Sequence, residues 1–271
     1  MRDRRRVLRA LSVTCGMSVA VGAGAAAARA AIIEYPADPS ATAIARAIAV
    51  DPKVVKRAVF PAVPPGSKPA AVSTTRLAGF PLHGKSFGML TTGNARLADD
   101  PNDAGDSGST AGGPSIRGAR DVTMMRIDLR IPRNANCLSF RFRFLSEEFP
   151  EFVDDVFNDA FIAEVNASNW TASTKEDPQI TAPRNFAVTA GDAPIRINRI
   201  GPTSVSAAAA KGTTYDGATR ILRASARVNR ATRHLYLSIF DQGDRIYDSA
   251  VFIDKLIVGK RSRCVNGVVV D

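Results

Sequence analysis

One stretch of the sequence, residues 138–165, constrains the fold more than any other. It opens with a strict alternation of apolar and polar side chains, whose apolar members are Leu138, Phe140, Phe142 and Phe144. A period of two is typical of a β-strand that buries one face. Residues 146–159 then hold six carboxylates and no Lys or Arg, and a second apolar run follows at residues 160–165. We therefore expect two strands joined by what we call the first acidic turn, residues 146–159.

Further apolar or alternating runs follow along the chain, separated by segments rich in Gly, Pro, Asn and Asp. They lie at residues 70–77, 87–92, 125–131, 186–189, 195–200, 221–228, 235–240 and 250–258. Many short strands without long helices between them predict a mainly β fold, an antiparallel β-sandwich or a jelly roll. Two short N-terminal helices are also predicted, over residues 40–50 and 51–59, the second with Asp51 as N-cap and Pro52 in its first turn.

The first 30 residues predict an export signal rather than part of the fold. Several arginines precede an apolar, small-residue stretch at residues 11–28, and Ala28-Arg29-Ala30 forms a cleavage site. The run DRRRVLR at residues 3–9 is also similar to a twin-arginine signal, so both export routes stay open. We expect one domain, residues 31–271, to be secreted. It contains no apolar run approaching the roughly 20 residues of a membrane helix.

Removing that signal also lowers the positive charge. The first 30 residues include six Arg and one Asp, so the formal net charge falls from +10 for the whole chain to +5 for residues 31–271. The remaining arginines are scattered along the predicted strands, as at Arg126, Arg130, Arg141 and Arg143. Because nucleic-acid binding favours a clustered basic stripe, nucleic acid is not expected as a partner.

Two cysteines remain after residue 30: Cys137 at the start of the long strand and Cys264 after the last strand. In an exported chain such a pair predicts a disulfide, here one that ties the C-terminal tail to the sheet. Two unpaired buried thiols are the alternative.

A second acidic turn, residues 241–248, also joins two alternating strands. Calcium prefers six to eight hard oxygen ligands, which carboxylates, amides and backbone carbonyls supply. A Ca²⁺ ion shared by the two turns is therefore predicted. Its candidate ligands are Glu147, Glu148, Asn158, Asp159, Asp241, Asp244 and Asp248.

The alternative for both turns is structural, because solvated acids often cap helices and close turns. In the first acidic turn, Phe149, Phe152, Val153, Val156 and Phe157 recur at helical spacing. This spacing predicts one or two helical turns that bury the rings and direct the acids outward.

The two acidic turns and their neighbours resemble a known family, the bacterial choice-of-anchor L domain, an extracellular module attached to varied cell-surface anchors. The resemblance depends on four motifs that occur in the family's order and spacing. They are LSEEFPEFV at 145–153, FNDAF at 157–161, TTYDGAT at 213–219 and SIFDQGDRIYDSAVFID at 238–254. The resemblance implies a bacterial, extracellular location and no established activity.

Together these features predict a non-catalytic extracellular binding or adhesion module. Loops at residues 99–118 and 203–217 are expected to contact a glycan or another surface protein. The alternative is a glycoside hydrolase, because two carboxylates on a jelly roll can act across a sugar cleft. Few aromatic side chains could line such a cleft: Trp170 is the only tryptophan, and Tyr215 and Tyr247 lie in turns.

Overall fold

The fold is built from antiparallel strands in two large sheets. The computed structural model describes residues 32–34 (backbone only), 41–103, 111–173, 179–189, 193–197 and 205–270, so the predicted signal lies outside the described residues. The strands are β1 (Ile32–Glu34), β2 (Val55–Ala62), β3 (Ala70–Ser73), β4 (Phe87–Thr91), β5 (Arg120–Leu129), β6 (Cys137–Ser146), β7 (Ala160–Val165), β8 (Thr171–Ala172), β9 (Ile180–Thr181), β10 (Ile195–Arg196), β11 (Val205–Ser206), β12 (Gly217–Thr219), β13 (Leu222–Arg227), β14 (His234–Asp241), β15 (Ser249–Gly259) and β16 (Gly267–Val270). The helices are α1 (Ala41–Ile48) and α2 (Ala207–Ala210), with 3₁₀ turns at Pro52–Val54 and Ala95–Leu97.

The larger sheet has β6 near its centre. Its order is β1-β3-β4-β15-β6-β12-β11, and β13 also pairs with β6 and carries β16 on its other side. The smaller sheet has the order β10-β7-β14-β5-β2, and β8 and β9 form a separate hairpin. All of these pairings are antiparallel, so the prediction of a mainly β, antiparallel fold is confirmed.

One hydrophobic cluster joins the two sheets. Phe140 and Phe142 of β6 contact Phe161 of β7, with ring centroids 6.2 and 5.1 Å apart. The predicted apolar face of β6 is therefore the core face, and all four of its predicted members are buried. Alternate residues of β13 and β14 complete the same cluster.

Helix α1 closes one side of this core. Its buried face packs against β2, β3 and β4. The face consists of Ala41, Ile44, Ala45 and Ile48. The close approach depends on Gly88 of β4, because a Cβ at that position would lie 2.6 Å from Cγ2 of Ile48. The first predicted helix is thus present, somewhat shorter than residues 40–50.

The second predicted helix, residues 51–59, is wrong. Asp51 does cap a 3₁₀ turn by accepting a hydrogen bond from the Lys53 N–H, but the turn ends at Val54 and β2 begins at Val55. β2 then pairs with β5 at the edge of the smaller sheet. The run of β-branched and small residues is better satisfied by half-buried strand pairing than by a helix, a case in which tertiary contacts override local signals.

Two smaller expectations also differ from the structure. The first acidic turn contains no helix; Phe152 N–H donates to the Glu148 carbonyl at 3.0 Å, which closes a single turn. Residues 186–189 form only a bridge between Val188 and Pro194 instead of a strand.

The predicted disulfide between Cys137 and Cys264 is present.

Candidate metal centre

The two acidic turns meet at one end of the molecule because each of them crosses between the sheets there. The first turn leads from β6 in the larger sheet to β7 in the smaller one, and the second leads from β14 back to β15. Ser146 and Ser249 are paired in the β6–β15 ladder, and Ala160 and Phe240 are paired in the β7–β14 ladder. The ends of these four strands therefore lie side by side.

Hydrogen bonds join the two turns directly. The Asp248 N–H donates to Oε2 of Glu147 at 3.0 Å, and the Glu147 N–H donates to the Asp248 carbonyl at 3.1 Å. The Thr92 hydroxyl, just after β4, donates to Oδ1 of Asp248 at 3.1 Å. These bonds fix two carboxylates from distant parts of the sequence beside each other.

Asp159 takes part in several hydrogen bonds that link the two turns. Its Oδ2 accepts from the Ser249 hydroxyl at 2.7 Å, and its Oδ1 accepts from the Gln242 N–H at 3.3 Å. Its own N–H donates to Oε2 of Glu148 at 3.3 Å, and the Glu148 N–H donates to the Ser146 hydroxyl at 3.0 Å. A network of hydroxyls and backbone amides therefore holds Asp159 and Glu148 together.

Asp241 and Asp121 differ from these acids because their carboxylates receive no hydrogen bonds. Both side chains are buried, and neither oxygen of either carboxylate accepts a hydrogen bond of good geometry, although Thr92 and Asp159 lie close enough to affect the pKa of Asp241 or to be affected by it. Asp121 lies 3.6 Å, Oδ1 to Nη1, from Arg245 at the edge of the site. Buried carboxylates that lack donors are costly and call for a compensating group.

We refer to these buried acids together as the carboxylate cluster. Its members are Asp121, Glu147, Glu148, Asp159, Asp241 and Asp248. Asp121 is absent from the predicted ligand set. In the sequence Asp121 follows Gly118 and Ala119 and is the second residue of β5. An acid at the start of a buried strand is the signal that could have identified it as a candidate ligand.

The protonation of the cluster reflects crowding of negative charge. Burial raises the pKa of Asp159 to about 7, although the Ser249 hydroxyl opposes the shift. Burial and the Asp159 carboxylate raise the pKa of Glu148 well above its usual value, and burial with Asp159 and Asp248 does the same for Asp241. Burial raises the pKa of Asp121 to about 6, partly offset by Arg245. A nearby cation would relieve this repulsion.

Two members of the predicted ligand set lie differently from the rest. Asp244 is half-buried, and its Oδ1 accepts from the Ile246 N–H within the second turn. Asn158 is buried, and its backbone N–H and side-chain amide both contact Gln242. All seven predicted residues lie at the same end of the molecule. Among the described residues, however, no three His, Cys, Asp or Glu side chains are arranged as ready metal ligands, so calcium binding stays a prediction.

A surface hollow of about 430 Å³ opens beside the cluster, and we call it the loop hollow. It is lined by Asn102, Asp103, Glu147, Glu151, Phe152, Asp216 and Tyr247. The first two residues come from one predicted ligand-contacting loop, Asp216 from the other, and Glu147 belongs to the cluster as well. The rings of Phe152 and Tyr247 lie 5.0 Å apart, and both are half-buried.

The other aromatic residues considered for a sugar cleft are core residues. Trp170 is fully buried, stacks on Phe240 with centroids 4.2 Å apart and donates from Nε1 to the Ser238 hydroxyl. Tyr215 is also buried, with its hydroxyl 3.2 Å from that of Thr91. The glycoside hydrolase alternative therefore gains no aromatic cleft from them.

The architecture defines a class of protein. It is an antiparallel β module in which two acidic turns each connect one sheet to the other, and the carboxylates of the two turns are buried together. Comparison with protein families places it more specifically, because the choice-of-anchor L domain matches residues 75–256, about two thirds of the chain. The chain belongs to this family of bacterial cell-surface modules, as its motifs predict. Both acidic turns lie inside the matched span, whereas Cys264 lies outside it.

No curated protein matches the chain. In the described part of the chain, no helix has the length and apolar character needed to cross a membrane.

Proposed function

We propose that this chain is an exported, non-catalytic binding module of the bacterial cell surface, stabilised by calcium at the carboxylate cluster. In this proposal residues 1–30 are removed as a signal, and residues 31–271 act as one β-sandwich domain outside the cell.

One observation carries the calcium part of the proposal. Asp241 is 1% exposed, and neither of its carboxylate oxygens receives a hydrogen bond. The carboxyl groups of Asp159 and Asp248 lie close enough to raise the pKa of Asp241 beyond the effect of its burial. A hard divalent cation satisfies such oxygens and neutralises the repulsion, and Ca²⁺ accepts carboxylate ligands in flexible geometry.

The binding part of the proposal depends on the loop hollow. Its lining combines two aromatic rings with carboxylate and amide oxygens, the mixture by which concave sites orient a polar ligand. Four of the lining side chains are acidic, which disfavours polyanions. A neutral glycan or a basic segment of another surface protein therefore fits the hollow best. Calcium beneath it would fix the position of Glu147, which belongs to both the hollow and the cluster.

Thermal unfolding with and without calcium tests the metal. If calcium binds only the folded chain, a concentration about 100 times Kd adds about 2.7 kcal/mol to the free energy of unfolding. For a chain of this size that gain corresponds to a rise of roughly 5–10 °C in Tm. Asp241→Asn should abolish the response, whereas Asp155→Asn, which makes the same change at an exposed acid of the first turn, should retain it. No calcium response in the unaltered chain would refute the metal.

A glycan array probed with and without calcium tests the binding role. Retention of neutral glycans that is lost on Phe152→Ala but kept by Phe60→Ala, at a half-buried ring of β2 in the other sheet, would support the hollow as the site. Release of reducing sugar from a bound glycan, lost in Glu148→Gln, would overturn the non-catalytic assignment in favour of a hydrolase.

A further inference from the structure

The larger sheet carries a concentration of positive charge away from the carboxylate cluster, and we call it the basic groove. It is formed by Arg141, Arg223, Lys255, Arg261 and Arg263. Two adjoining hollows of about 330 and 140 Å³ make up the groove, and Arg223 and Arg261 line both of them. Among the described residues, no Asp or Glu lines either hollow.

The groove exists because the outer face of the larger sheet is only partly covered. At Arg143 the guanidinium Nη1 donates to the carbonyls of Ala78 and Ala209, at 2.8 and 2.7 Å, so the loops there cover the sheet. Two residues earlier along β6, Arg141 lies beyond that cover and is paired in register with Arg223 of β13. Neighbouring strands are about 4.8 Å apart, so the two cationic side chains rise close together from one face.

Asp254, next to Arg141 in the sheet, attaches the covering loop at the edge of the groove. Asp254 is the register partner of Arg141 in β15 and is fully buried. Its Oδ2 accepts from the N–H groups of Leu82 and His83, at 2.6 and 2.8 Å, and its Oδ1 accepts from the Lys255 N–H. Asp254 therefore anchors the covering loop and does not line the groove.

The remaining cations are held over the sheet by the C-terminal segment. The disulfide joins Cys264 to Cys137 at the start of β6. The Asn136 side chain donates to the Arg261 carbonyl at 2.9 Å and accepts from the Arg261 N–H at 2.8 Å. Arg261 and Arg263 are exposed on this fixed backbone. Ordering of the backbone before binding reduces the entropy that a ligand must overcome.

The chemistry of the lining selects the class of ligand. Arginine binds carboxylate and sulfate oxygens through paired N–H donors, and Ser139, Ser225 and Asn266 add groups that can bond hydroxyls. Phe140 is the aromatic residue of the lining, and it is buried in the core. Binding of single-stranded nucleic acid uses exposed aromatic rings on which bases stack, and the described lining offers none.

We infer that the basic groove binds an acidic polysaccharide, one that carries uronate or sulfate groups along its length. This inference rests on the proposed binding role of the module but not on the calcium site. The groove covers the half of β6 that begins at Cys137, and the carboxylate cluster begins beyond Ser146. Arg141 and Glu147 are thus roughly 20 Å apart along the strand. The loop hollow and the basic groove would thus select different ligands, with only the groove binding polyanions.

Binding of the full exported chain to immobilised polygalacturonate and to heparin tests the inference, with neutral dextran as the reference. Retention on the acidic polymers should weaken as NaCl rises. Arg261→Ala with Arg263→Ala should weaken binding about tenfold, since two solvent-exposed ion pairs with the polymer are lost. The matched control, Lys53→Ala with Lys56→Ala, removes two exposed cations near β2 and should leave affinity unchanged.

Several outcomes would overturn the inference. They are retention no stronger than on dextran, equal losses in the two double variants, or a preference for single-stranded or duplex DNA over both polysaccharides. Repeating the measurement in chelator separates this site from the calcium proposal. Binding that persists without calcium supports the groove whatever the cluster does, and light scattering of the free chain checks that self-association does not account for the retention.

Discussion

Glu147 and Asp248 hold each other through two hydrogen bonds, one from each backbone N–H, although 101 residues separate them in the sequence. Each residue belongs to one of the two segments that cross between the sheets. Their pairing places buried negative charge where the two sheets are joined, so the electrostatics of the cluster and the association of the sheets are coupled. A change in protonation or metal occupancy there should therefore affect the stability of the whole domain.

Neutralising Asp241 should stabilise the chain when calcium is absent. Burial raises the pKa of Asp241 well above its usual value, so folding at neutral pH must work against the ionisation of this carboxyl group, whereas an amide of the same shape does not ionise in either state. In chelator at neutral pH, we expect Asp241→Asn to raise the free energy of unfolding by about 1–3 kcal/mol. Urea unfolding measures the change. A loss of stability in chelator would instead mean that the ionised carboxylate is favourable in its folded environment.

The same cluster predicts how stability depends on pH. The pKa of Asp159 is about 7 in the folded chain, above its usual 3.8, and Glu148, Asp241 and Asp244 face it. Between pH 4 and 7 the folded chain therefore binds more protons than the unfolded chain. In chelator, the free energy of unfolding should fall as pH rises through this window, by up to about 1.4 kcal/mol per pH unit for one such group.

Saturating calcium should reverse the sign of that slope. Bound calcium keeps the carboxylates ionised, so the folded chain then binds fewer protons than the unfolded chain and gains stability as pH rises. Parallel Tm curves from pH 5 to 8 with calcium and with chelator measure both slopes. Asp159→Asn should make the chelator curve less steep, whereas Asp155→Asn should leave it unchanged. Parallel slopes in the two conditions would argue against a metal at the cluster.

The sequence predicted the strands well and the covering elements less well. The alternation of Leu138, Phe140, Phe142 and Phe144 specifies a buried face, and any strand with that pattern must place it against the core. Residues 51–59 carry no such alternation, and the capping residue Asp51 followed by Pro52 favours a helix start. The strand β2 instead depends on an edge of β5, a contact 71 residues distant at Arg57 and Asp128 that no local pattern reports.

For the candidate sites, the sequence shows which residue types are present, but it does not show which of them come together in space. Carboxylates concentrated in two short turns pointed to their convergence, and the turns do meet. Asp121 stands alone in sequence and joins the cluster only through strand pairing. The basic groove was missed for the same reason: Arg141, Arg223 and Arg261 looked scattered along the chain, yet neighbouring strands and a disulfide bring them together.

Gly88 should be intolerant of a side chain because helix α1 packs directly on it. An alanine Cβ would lie 2.6 and 2.9 Å from the Cγ2 atoms of Ile48 and Ile44. These methyl groups belong to β-branched side chains in a helix, which have little freedom to move aside. We expect Gly88→Ala to lower the free energy of unfolding by about 1–3 kcal/mol. Gly259→Ala, where the nearest atom is 3.9 Å away, serves as control in urea unfolding, and equal effects would contradict direct helix packing.

The disulfide should stabilise the domain and hold the basic groove in place. It closes a loop of 127 residues, and linking so long a segment lowers the entropy of the unfolded chain. We expect Cys137→Ser with Cys264→Ser to lower the free energy of unfolding by about 2–4 kcal/mol, as measured in urea. Reductant should produce the same loss in the unaltered chain and none in the double variant.

The groove gives this prediction a second readout. Hydrogen bonds from Asn136 and Arg227 and the β13–β16 pairing would then hold the segment that carries Arg261 and Arg263 without a covalent link. The double cysteine variant should therefore bind polygalacturonate more weakly while it remains folded. The calcium response of Tm should persist in that variant, because the carboxylate cluster lies at the other end of β6. Loss of the calcium response together with polysaccharide binding would mean that the two ends are not independent. Unchanged polysaccharide binding would mean that the C-terminal segment keeps its position without the disulfide.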